Sequence, residues 1–216
     1  MAKRKSLKSL KLLFIGNSFT QRNNLPELLA QLASARNLRI EHSLISAGGA
    51  SLRTHWNAGT AAKTIEAGGF DYVILQEQST LPVKNATRMA ENIRLFAEVI
   101  QRAGAQTVLY MTWARQHSPE TQQAITAAYE SIGEELAARV IPVGRVWQRF
   151  LAEHSTPLLY DRDQSHPTLA GSYLAACVFL TTLFVEDPCG IEIGLDGLSQ
   201  PDLATLQAAA QRYSAL

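Results

Sequence analysis

Two short segments near opposite ends of the chain carry residue types that can cleave an acyl bond. Ser18 lies where an apolar run gives way to a polar Gly-Asn-Ser turn, and Asp163 and His166 lie three positions apart in the segment DQSHP. A serine hydroxyl becomes an effective nucleophile when an imidazole takes its proton and a carboxylate orients that imidazole. The three residues therefore predict a nucleophile, a base and an acid, provided that the fold brings them together.

The elements that would position these residues follow from the hydrophobic pattern. Apolar runs typical of strands alternate with longer helical patterns. Asn85 is a predicted helix N-cap and Gly104 a predicted helix end. Because strands that alternate with helices pair in parallel through right-handed crossovers, we expect an α/β fold with a mostly five-stranded parallel sheet. The predicted strands are 12–15, 39–45, 72–75, 107–111 and 140–143, and the predicted helices are 26–36, 85–103, 119–138, 146–153, 169–185 and 202–213.

Polar residues follow four of the predicted strands. Ser18 comes after the first strand, residues 48–51 after the second, residues 76–79 after the third and residues 112–115 after the fourth. Ligands of such sheets bind beyond the carboxyl ends of the strands. We therefore expect these four loops to form one cleft.

The ordered set of motifs resembles the SGNH hydrolases, also called GDSL-type esterases and lipases. The resemblance extends from Gly16 to His166 and includes the glycine loop after the second strand. It implies a three-layer, flavodoxin-like fold and hydrolysis of acyl esters, with Ser18 as nucleophile, His166 as base and Asp163 as acid. Asn17 stands where many members of the family carry Asp. Since Asn makes similar local hydrogen bonds, we expect it to shape the turn in the same way.

Ester hydrolysis also needs donors for the oxyanion that forms when serine attacks the carbonyl. The Ser18 amide is one candidate, and the resemblance implies a second from Gly49 or, since the alignment slips by one, from Gly48. The family's Gly-x-Asn-Asp motif after the third strand is absent, and the chain has LQEQS there. Because a Gln amide donates as an Asn amide does, Gln78 or Gln76 is a candidate for the third donor. Gln78 is preferred because it lies further past the strand end.

Other polar and aromatic residues near the predicted strand ends have less specific interpretations. Trp113 is a candidate for an aromatic wall of the substrate pocket, with plain packing an equally good interpretation, and Arg115 is a candidate polar guide. Glu77 is interpreted as a solvated loop carboxylate, with electrostatic tuning of the site as the alternative. The other histidines lack the spacing of metal ligands, so we expect neither a metal nor another cofactor.

Composition limits the possible partners and compartments. The chain has 216 residues, of which 46% are hydrophobic and 18% charged, as in globular proteins. We expect a single domain at residues 11–216 behind a basic tail at residues 1–10. A net charge of +1 argues against nucleic-acid binding. No apolar run approaches the roughly 20 residues of a membrane span.

The expected location is the cytoplasm, because the start of the chain lacks the cleavage site of a secretory signal. Cys177 and Cys189 are expected to be free thiols, since their spacing fits neither a metal site nor an obvious disulfide.

These observations together predict a serine esterase that hydrolyses short-chain or O-acetyl esters through an acyl-enzyme. Its partner would be a small-molecule acyl ester or an acetylated carbohydrate. Two alternatives stay open. An acyl thioesterase or lysophospholipase would need a long apolar groove, and a non-catalytic ligand-binding module could use the same fold. The sequence does not select among oligomeric states.

Overall fold

A five-stranded parallel sheet runs through the centre of the computed structural model, which describes residues 9–214. The strand order is β2-β1-β3-β4-β5, and each of the four pairings is parallel. The predicted α/β class and five-stranded parallel sheet are thus confirmed. The strands are β1 (Ser9–Gly16), β2 (Arg39–Ser46), β3 (Tyr72–Leu75), β4 (Gln106–Tyr110) and β5 (Arg139–Ile141).

Helices connect the strands and cover the sheet. Two short 3-10 helices, Arg22–Asn24 and Pro119–Thr121, precede the longer helices that follow them. The α-helices are α1 (Ser18–Gln21), α2 (Leu25–Ala35), α3 (Leu52–Ala58), α4 (Thr60–Glu66), α5 (Leu81–Lys84), α6 (Ala86–Arg102), α7 (Gln122–Glu135), α8 (Val143–Glu153), α9 (Leu169–Phe184) and α10 (Gln200–Tyr213).

Local sequence signals fix several of the helix ends. The Asn85 side chain accepts a hydrogen bond from the Arg88 amide and caps α6, as predicted. Gly104 follows the end of α6 with φ of 76°, a left-handed conformation that favours glycine. The short helices α1, α4 and α5 were not predicted. In addition, β1 begins at Ser9, so residues 9 and 10 belong to the strand rather than to the predicted tail, and residues 1–8 of that tail lie outside the described residues.

Two apolar clusters, one on each face of the sheet, form the core. Because successive side chains of a strand point to opposite faces, Leu12 and Phe14 of β1 join one cluster while Leu13 and Ile15 join the other. The first cluster is completed by α2, α8, α9 and α10, and the second by α3, α4, α6 and α7. The result is a three-layer arrangement of helices, sheet and helices.

Helix α9 is apolar on nearly every side and lies in the first cluster, where it contacts α2 and α10. It has only 16 residues, and within residues 9–214 no helix is both long and apolar enough to cross a membrane. Cys177 of α9 is buried and Cys189 is partly buried, and both are free thiols, as predicted.

The strand order places a crevice beside the end of β1. The chain passes from β1 to β2 on one side of it and later returns to β3 on the other side. At such a switch point the loops after neighbouring strands diverge and leave room for a ligand. Ser18, the first residue of α1, lies at this point.

Candidate active site

Ser18, His166 and Asp163 form a continuous series of hydrogen bonds at the carboxyl edge of the sheet. The Ser18 Oγ lies 2.8 Å from His166 Nε2, and His166 Nδ1 lies 2.5 Å from the Asp163 Oδ2. These distances are within reach for proton transfer. The structure thus brings together the three predicted residues, although Ser18 and His166 are 148 positions apart in the chain.

Asn17 holds the turn that presents Ser18. Its side-chain oxygen caps α1 by accepting from the Phe19 amide at 3.0 Å, and its Nδ2 donates to the Ala50 carbonyl at 3.1 Å. The preceding glycine is required sterically, because a Cβ at Gly16 would lie 2.5 Å from the Gln76 Oε1. The side chain of Asn17 therefore shapes the turn, as expected, and also ties it to the loop after β2.

Asp163 organises the loop that carries His166. One carboxylate oxygen accepts from the Ser165 amide at 3.0 Å and from the His166 amide at 2.9 Å, while the other accepts from the imidazole. Desolvation raises the pKa of the Asp163 carboxyl, but the hydrogen bonds from the His166 amide, the His166 imidazole and the Ser165 amide outweigh it and lower the pKa to about 2. Asp163 is therefore ionised at neutral pH and fixes the orientation of the His166 ring.

Trp113 holds this loop through a hydrogen bond to its backbone. Its Nε1 donates to the Ser165 carbonyl at 3.0 Å. Its indole is buried between the rings of Phe19 and Trp147, at centroid distances of 4.8 and 4.0 Å. Both faces of the indole are covered, so Trp113 does not form the expected wall of the substrate pocket. Trp113 is instead a packing residue of the core, which was the other interpretation of its sequence position.

A cleft of about 390 Å³ opens beside the triad. All four predicted loops contribute to its lining. The loops after β1, β2, β3 and β4 supply Ser18, the Gly48–Gly49 pair, Gln78 and Arg115, respectively. Larger depressions of about 560 and 620 Å³ lie elsewhere and contain no member of the triad. Its chemistry, rather than its size, makes this cleft the candidate active site.

Three residues predicted to supply oxyanion donors line the cleft. The Ser18 amide is the first of α1 and has no partner within that helix. Gly49 adopts φ of 68° in the turn after β2 and lines the cleft. The Gln78 side-chain oxygen accepts from the amides of Thr80 and Leu81 at 2.8 and 3.1 Å, which leaves its Nε2 as the end of the amide without a hydrogen-bond partner among residues 9–214.

Gln76, the other candidate donor, is committed to the interior. Its Oε1 accepts from the Asn17 amide at 2.8 Å and from the Thr20 hydroxyl at 3.0 Å, and its Nε2 donates to the Glu77 carbonyl. It is almost fully buried and does not line the cleft. Of the two glutamines, only Gln78 is placed where it could meet a substrate.

Comparison with known proteins supports the architecture. No family model matches the chain, and no curated protein is detectably similar to it. Among solved structures, a candidate SGNH hydrolase from Slackia heliotrinireducens is 28% identical, with a TM-score of 0.69 over 82% of this chain and 100% of that chain. The protein has an SGNH hydrolase-like fold.

Two further solved structures share this SGNH-like fold at lower identity. A DUF4886 family protein from Bacteroides uniformis is 20% identical, with a TM-score of 0.76 over 95% of this chain and 94% of that chain. Axe2, an acetylxylan esterase from Geobacillus stearothermophilus, is 16% identical, with a TM-score of 0.67 over 86% of this chain and 97% of that chain. The fold is thus retained where little of the sequence is.

Glu77 departs most from its sequence interpretation within this SGNH-like fold. The carboxylate is fully buried rather than solvated. It accepts from the Leu52 amide at 2.9 Å, the Gln78 amide at 2.7 Å and the Asn92 Nδ2 at 2.8 Å. Burial raises its pKa, while the hydrogen bonds from Asn92, Gln78 and Leu52 oppose that rise. Glu77 therefore links the start of α3 and the middle of α6 to the loop that carries Gln78.

His55 is a second buried polar residue that sequence analysis assigned to no role. Its Nε2 lies 2.7 Å from the Gly16 carbonyl, so it contacts the turn before Ser18 from the side of α3. Only its position on a short helix directly after the glycine loop could have indicated this contact.

Proposed function

We propose that the protein is a serine hydrolase that cleaves acyl esters through an acyl-enzyme. The observation that carries the proposal is the continuous series from the Ser18 Oγ through the His166 ring to the Asp163 carboxylate. This arrangement activates a serine, because the imidazole accepts its proton and the carboxylate stabilises the resulting imidazolium. Similarity to an SGNH hydrolase candidate and to the acetylxylan esterase Axe2 supports the same chemistry.

In the first proposed step, the Ser18 oxygen attacks the carbonyl carbon of the ester while its proton passes to His166 Nε2. The bond between the carbonyl carbon and the alcohol oxygen then breaks, and His166 returns the proton to that oxygen. In the second step, His166 takes a proton from water, whose oxygen attacks the acyl-enzyme. The acid leaves and the proton returns to Ser18. Asp163 holds the Nδ1–H of the imidazole throughout.

The negative oxygen of each tetrahedral intermediate would be stabilised by three donors. We assign the Ser18 amide, the amide of Gly49 or Gly48, and the Gln78 Nε2 to this oxyanion hole, because all of these residues line the cleft beside the nucleophile. Losing one such donor typically lowers the rate by about 10² to 10³.

The cleft favours a short acyl group. Phe19 is the one large apolar side chain among its lining residues, the others being glycines or polar residues, and its volume is about 390 Å³. An acyl thioesterase or lysophospholipase would need a longer apolar groove to bury its acyl chain. We therefore expect kcat/KM for p-nitrophenyl esters to be highest from acetyl to butyryl and to fall towards palmitoyl. A maximum at the long chains would favour the thioesterase or lysophospholipase alternative.

Covalent labelling tests the proposal directly. A fluorophosphonate probe should label Ser18 of the wild type, which should also hydrolyse p-nitrophenyl acetate, whereas Ser18→Ala should do neither. Ser79→Ala is a matched control, because this serine lines the same cleft without contacting His166, and the probe should still label it at Ser18. Labelling that survives Ser18→Ala would contradict the assignment, and a wild type that neither labels nor turns over would favour the non-catalytic binding module.

A further inference from the structure

A second, smaller depression of about 150 Å³ lies next to the cleft beside Ser18. Ser79 and Arg115 line both, so the two depressions are neighbours at these residues. Val83, Ala114 and Ile125 contribute apolar surface to the smaller depression. Since one water occupies about 30 Å³ of the liquid, the depression has room for a group of about five heavy atoms.

Arg115 is unusual among the arginines of residues 9–214. Most of them bind a carboxylate, a backbone carbonyl or a side-chain amide, and those that do not are exposed. Arg115 is partly buried, yet within the described residues its guanidinium makes no hydrogen bond or ion pair. Within residues 9–214 no protein group pairs with this guanidinium, so it is available to a ligand that enters either depression.

Hydrogen bonds hold the backbone on both sides of Arg115, so the fold sets the point from which its side chain extends. The Arg115 carbonyl accepts from the Ser118 amide at 3.0 Å, and the next residue, Gln116, donates to the Gln164 carbonyl at 2.9 Å. The preceding Ala114 carbonyl accepts from the Tyr160 hydroxyl at 2.6 Å. Arg115 is thus anchored between the end of β4 and the loop that carries His166.

The charges around the two depressions are unbalanced. Lys84, at the end of α5, lines the smaller one together with Arg115. The one carboxylate in the lining of either belongs to Asp163, which lines the larger cleft and is hydrogen-bonded to His166. The smaller depression therefore has two cations and no carboxylate among its described lining residues.

We propose that Arg115, assisted by Lys84, binds an anionic group of the ester substrate in this smaller depression. The inference rests on the proposed esterase function and specifies its substrate class: small esters that carry a carboxylate or a similar anion a few atoms from the scissile bond. A guanidinium suits this task because it donates two parallel hydrogen bonds to a carboxylate. The apolar surface from Val83 and Ile125 would contact the short spacer between the ester and the anion.

Matched pairs of esters test the proposal, each pair differing only by a carboxylate against a carboxamide. The anion lies on the alcohol half in 3-acetoxybenzoate and 3-acetoxybenzamide, and on the acyl half in monomethyl glutarate and methyl glutaramate. In at least one pair we expect the wild type to prefer the carboxylate by about tenfold or more in kcat/KM, since hydrogen bonds from a guanidinium to a charged acceptor are stronger than those to a neutral one. The pair that shows the preference identifies the half of the substrate that the depression binds.

Variants separate a direct contact from general attraction. Arg115→Gln should bring the carboxylate-to-carboxamide ratio close to 1, and Arg115→Lys should leave an intermediate ratio because it keeps the charge without the paired donors. Arg162→Gln removes the same charge from an exposed side chain outside both depressions and should leave the ratio unchanged. The proposal is overturned if the wild type prefers neither carboxylate, or if Arg162→Gln lowers the ratio as much as Arg115→Gln.

Failure of the esterase assignment would give a different result. A wild type that cleaves none of the four esters and no p-nitrophenyl acetate contradicts the proposed function itself. Calorimetry with 3-hydroxybenzoate and glutarate then decides the anion site alone. Either anion should bind the wild type and bind Arg115→Gln at least about tenfold more weakly, and an absence of binding to the wild type would overturn the inference.

Discussion

The two ends of the Gln78 amide differ in their hydrogen bonding. Its oxygen accepts hydrogen bonds from the Thr80 amide, the Thr80 hydroxyl and the Leu81 amide, which holds the loop before α5. Its nitrogen is left for the cleft. A substitution that keeps the oxygen and removes the nitrogen would therefore separate the structural contribution from the proposed contribution to the oxyanion hole.

Gln78→Glu makes that separation. The retained carboxylate oxygen can still accept from the Thr80 and Leu81 amides, but the donor is replaced by an oxygen that repels the developing oxyanion. We expect kcat for p-nitrophenyl acetate to fall by about 10² to 10³ or more, with little change in melting temperature. Gln101→Glu, which adds the same charge to an exposed helix position, is the control. A kcat within about threefold of wild type would rule out Gln78 as an oxyanion donor.

Single residues were predictable where their chemistry is local. The turn residue Asn17 and the Asp163–His166 spacing could be interpreted from residue type and order alone. The choice between Gln76 and Gln78 could not, because it depends on which hydrogen bonds each amide already makes. Gln76 is occupied by the Asn17 amide, a partner 59 positions away in the chain.

At the scale of secondary-structure elements, a polar contact between Glu77 and Asn92 joins the loop after β3 to α6. Glu77 Oε2 accepts from Asn92 Nδ2, and Asn92 Oδ1 accepts from Arg53 Nε on α3 at 2.9 Å. Replacing Glu77 by Gln would leave two NH₂ groups facing each other. Replacing Asn92 by Asp would leave two carboxylates facing each other. The orientation of Asn92 is fixed because its oxygen is needed by Arg53.

Exchanging the acid group of Glu77 and the amide group of Asn92 between the two positions tests this contact. Glu77→Gln places an NH₂ group against Asn92 Nδ2 and should destabilise the protein by about 1–3 kcal/mol, the cost of an unsatisfied buried polar group. Repulsion between the two NH₂ groups should also displace the side-chain oxygen that holds the Gln78 amide, and so lower kcat. Adding Asn92→Asp restores a donor–acceptor pair and should recover most of both losses. Failure of the double variant to recover stability would contradict the assigned orientation of Asn92.

Because the pKa of Glu77 is raised, the difference in stability between the wild type and Glu77→Gln should depend on pH. Because the folded-state pKa lies above the value of 4.5 for an unperturbed Glu, folding favours the protonated form. Stability from this group is greatest at low pH and decreases as pH rises from 4.5 through the raised pKa. The stability advantage of the wild type over Glu77→Gln should therefore narrow across that window in thermal unfolding experiments.

Helix ends were more predictable than the packing of helices. Asn85 and Gly104 act within a few residues of themselves, so the bounds of α6 followed from local sequence. The burial of Glu77 did not, because it arises only when α3 and α6 both pack over the loop after β3. Short helices such as α4 and α5 were missed since a segment of one or two turns has little periodicity to detect.

The whole molecule depends on the helix that fills its first core. Phe179 of α9 is fully buried, and its ring meets the edges or faces of Phe14 and Tyr110 at centroid distances of 5.9 and 5.0 Å. Phe179→Ala should cost about 3–5 kcal/mol through lost burial and the cavity left behind. Leu158→Ala, at a side chain that is 68% exposed, should change stability by no more than about 0.5 kcal/mol. Denaturant unfolding measures both, and equal effects would contradict the assigned core.

The architecture of the whole molecule was largely predictable because it rests on pattern rather than on individual contacts. Alternating strands and helices indicated a parallel sheet, and a parallel sheet indicated a cleft at one edge. Trp113 shows the limit of this inference. Its place after β4 was consistent with a pocket wall, but stacking between Phe19 and Trp147 draws the indole into the core.

The distance along the chain between Ser18 and His166 has a consequence for synthesis of the protein. The ribosome releases the N-terminal part first, at about 5–20 residues per second. Ser18 therefore emerges about 7–30 s before His166, which follows it by 148 positions. During that interval the hydroxyl lacks the His166 imidazole. If Ser18 is the nucleophile proposed above, a nascent chain would carry it in an inactive form until α9 is made and can close the first core, so that hydrolytic capacity would arise late in synthesis rather than gradually.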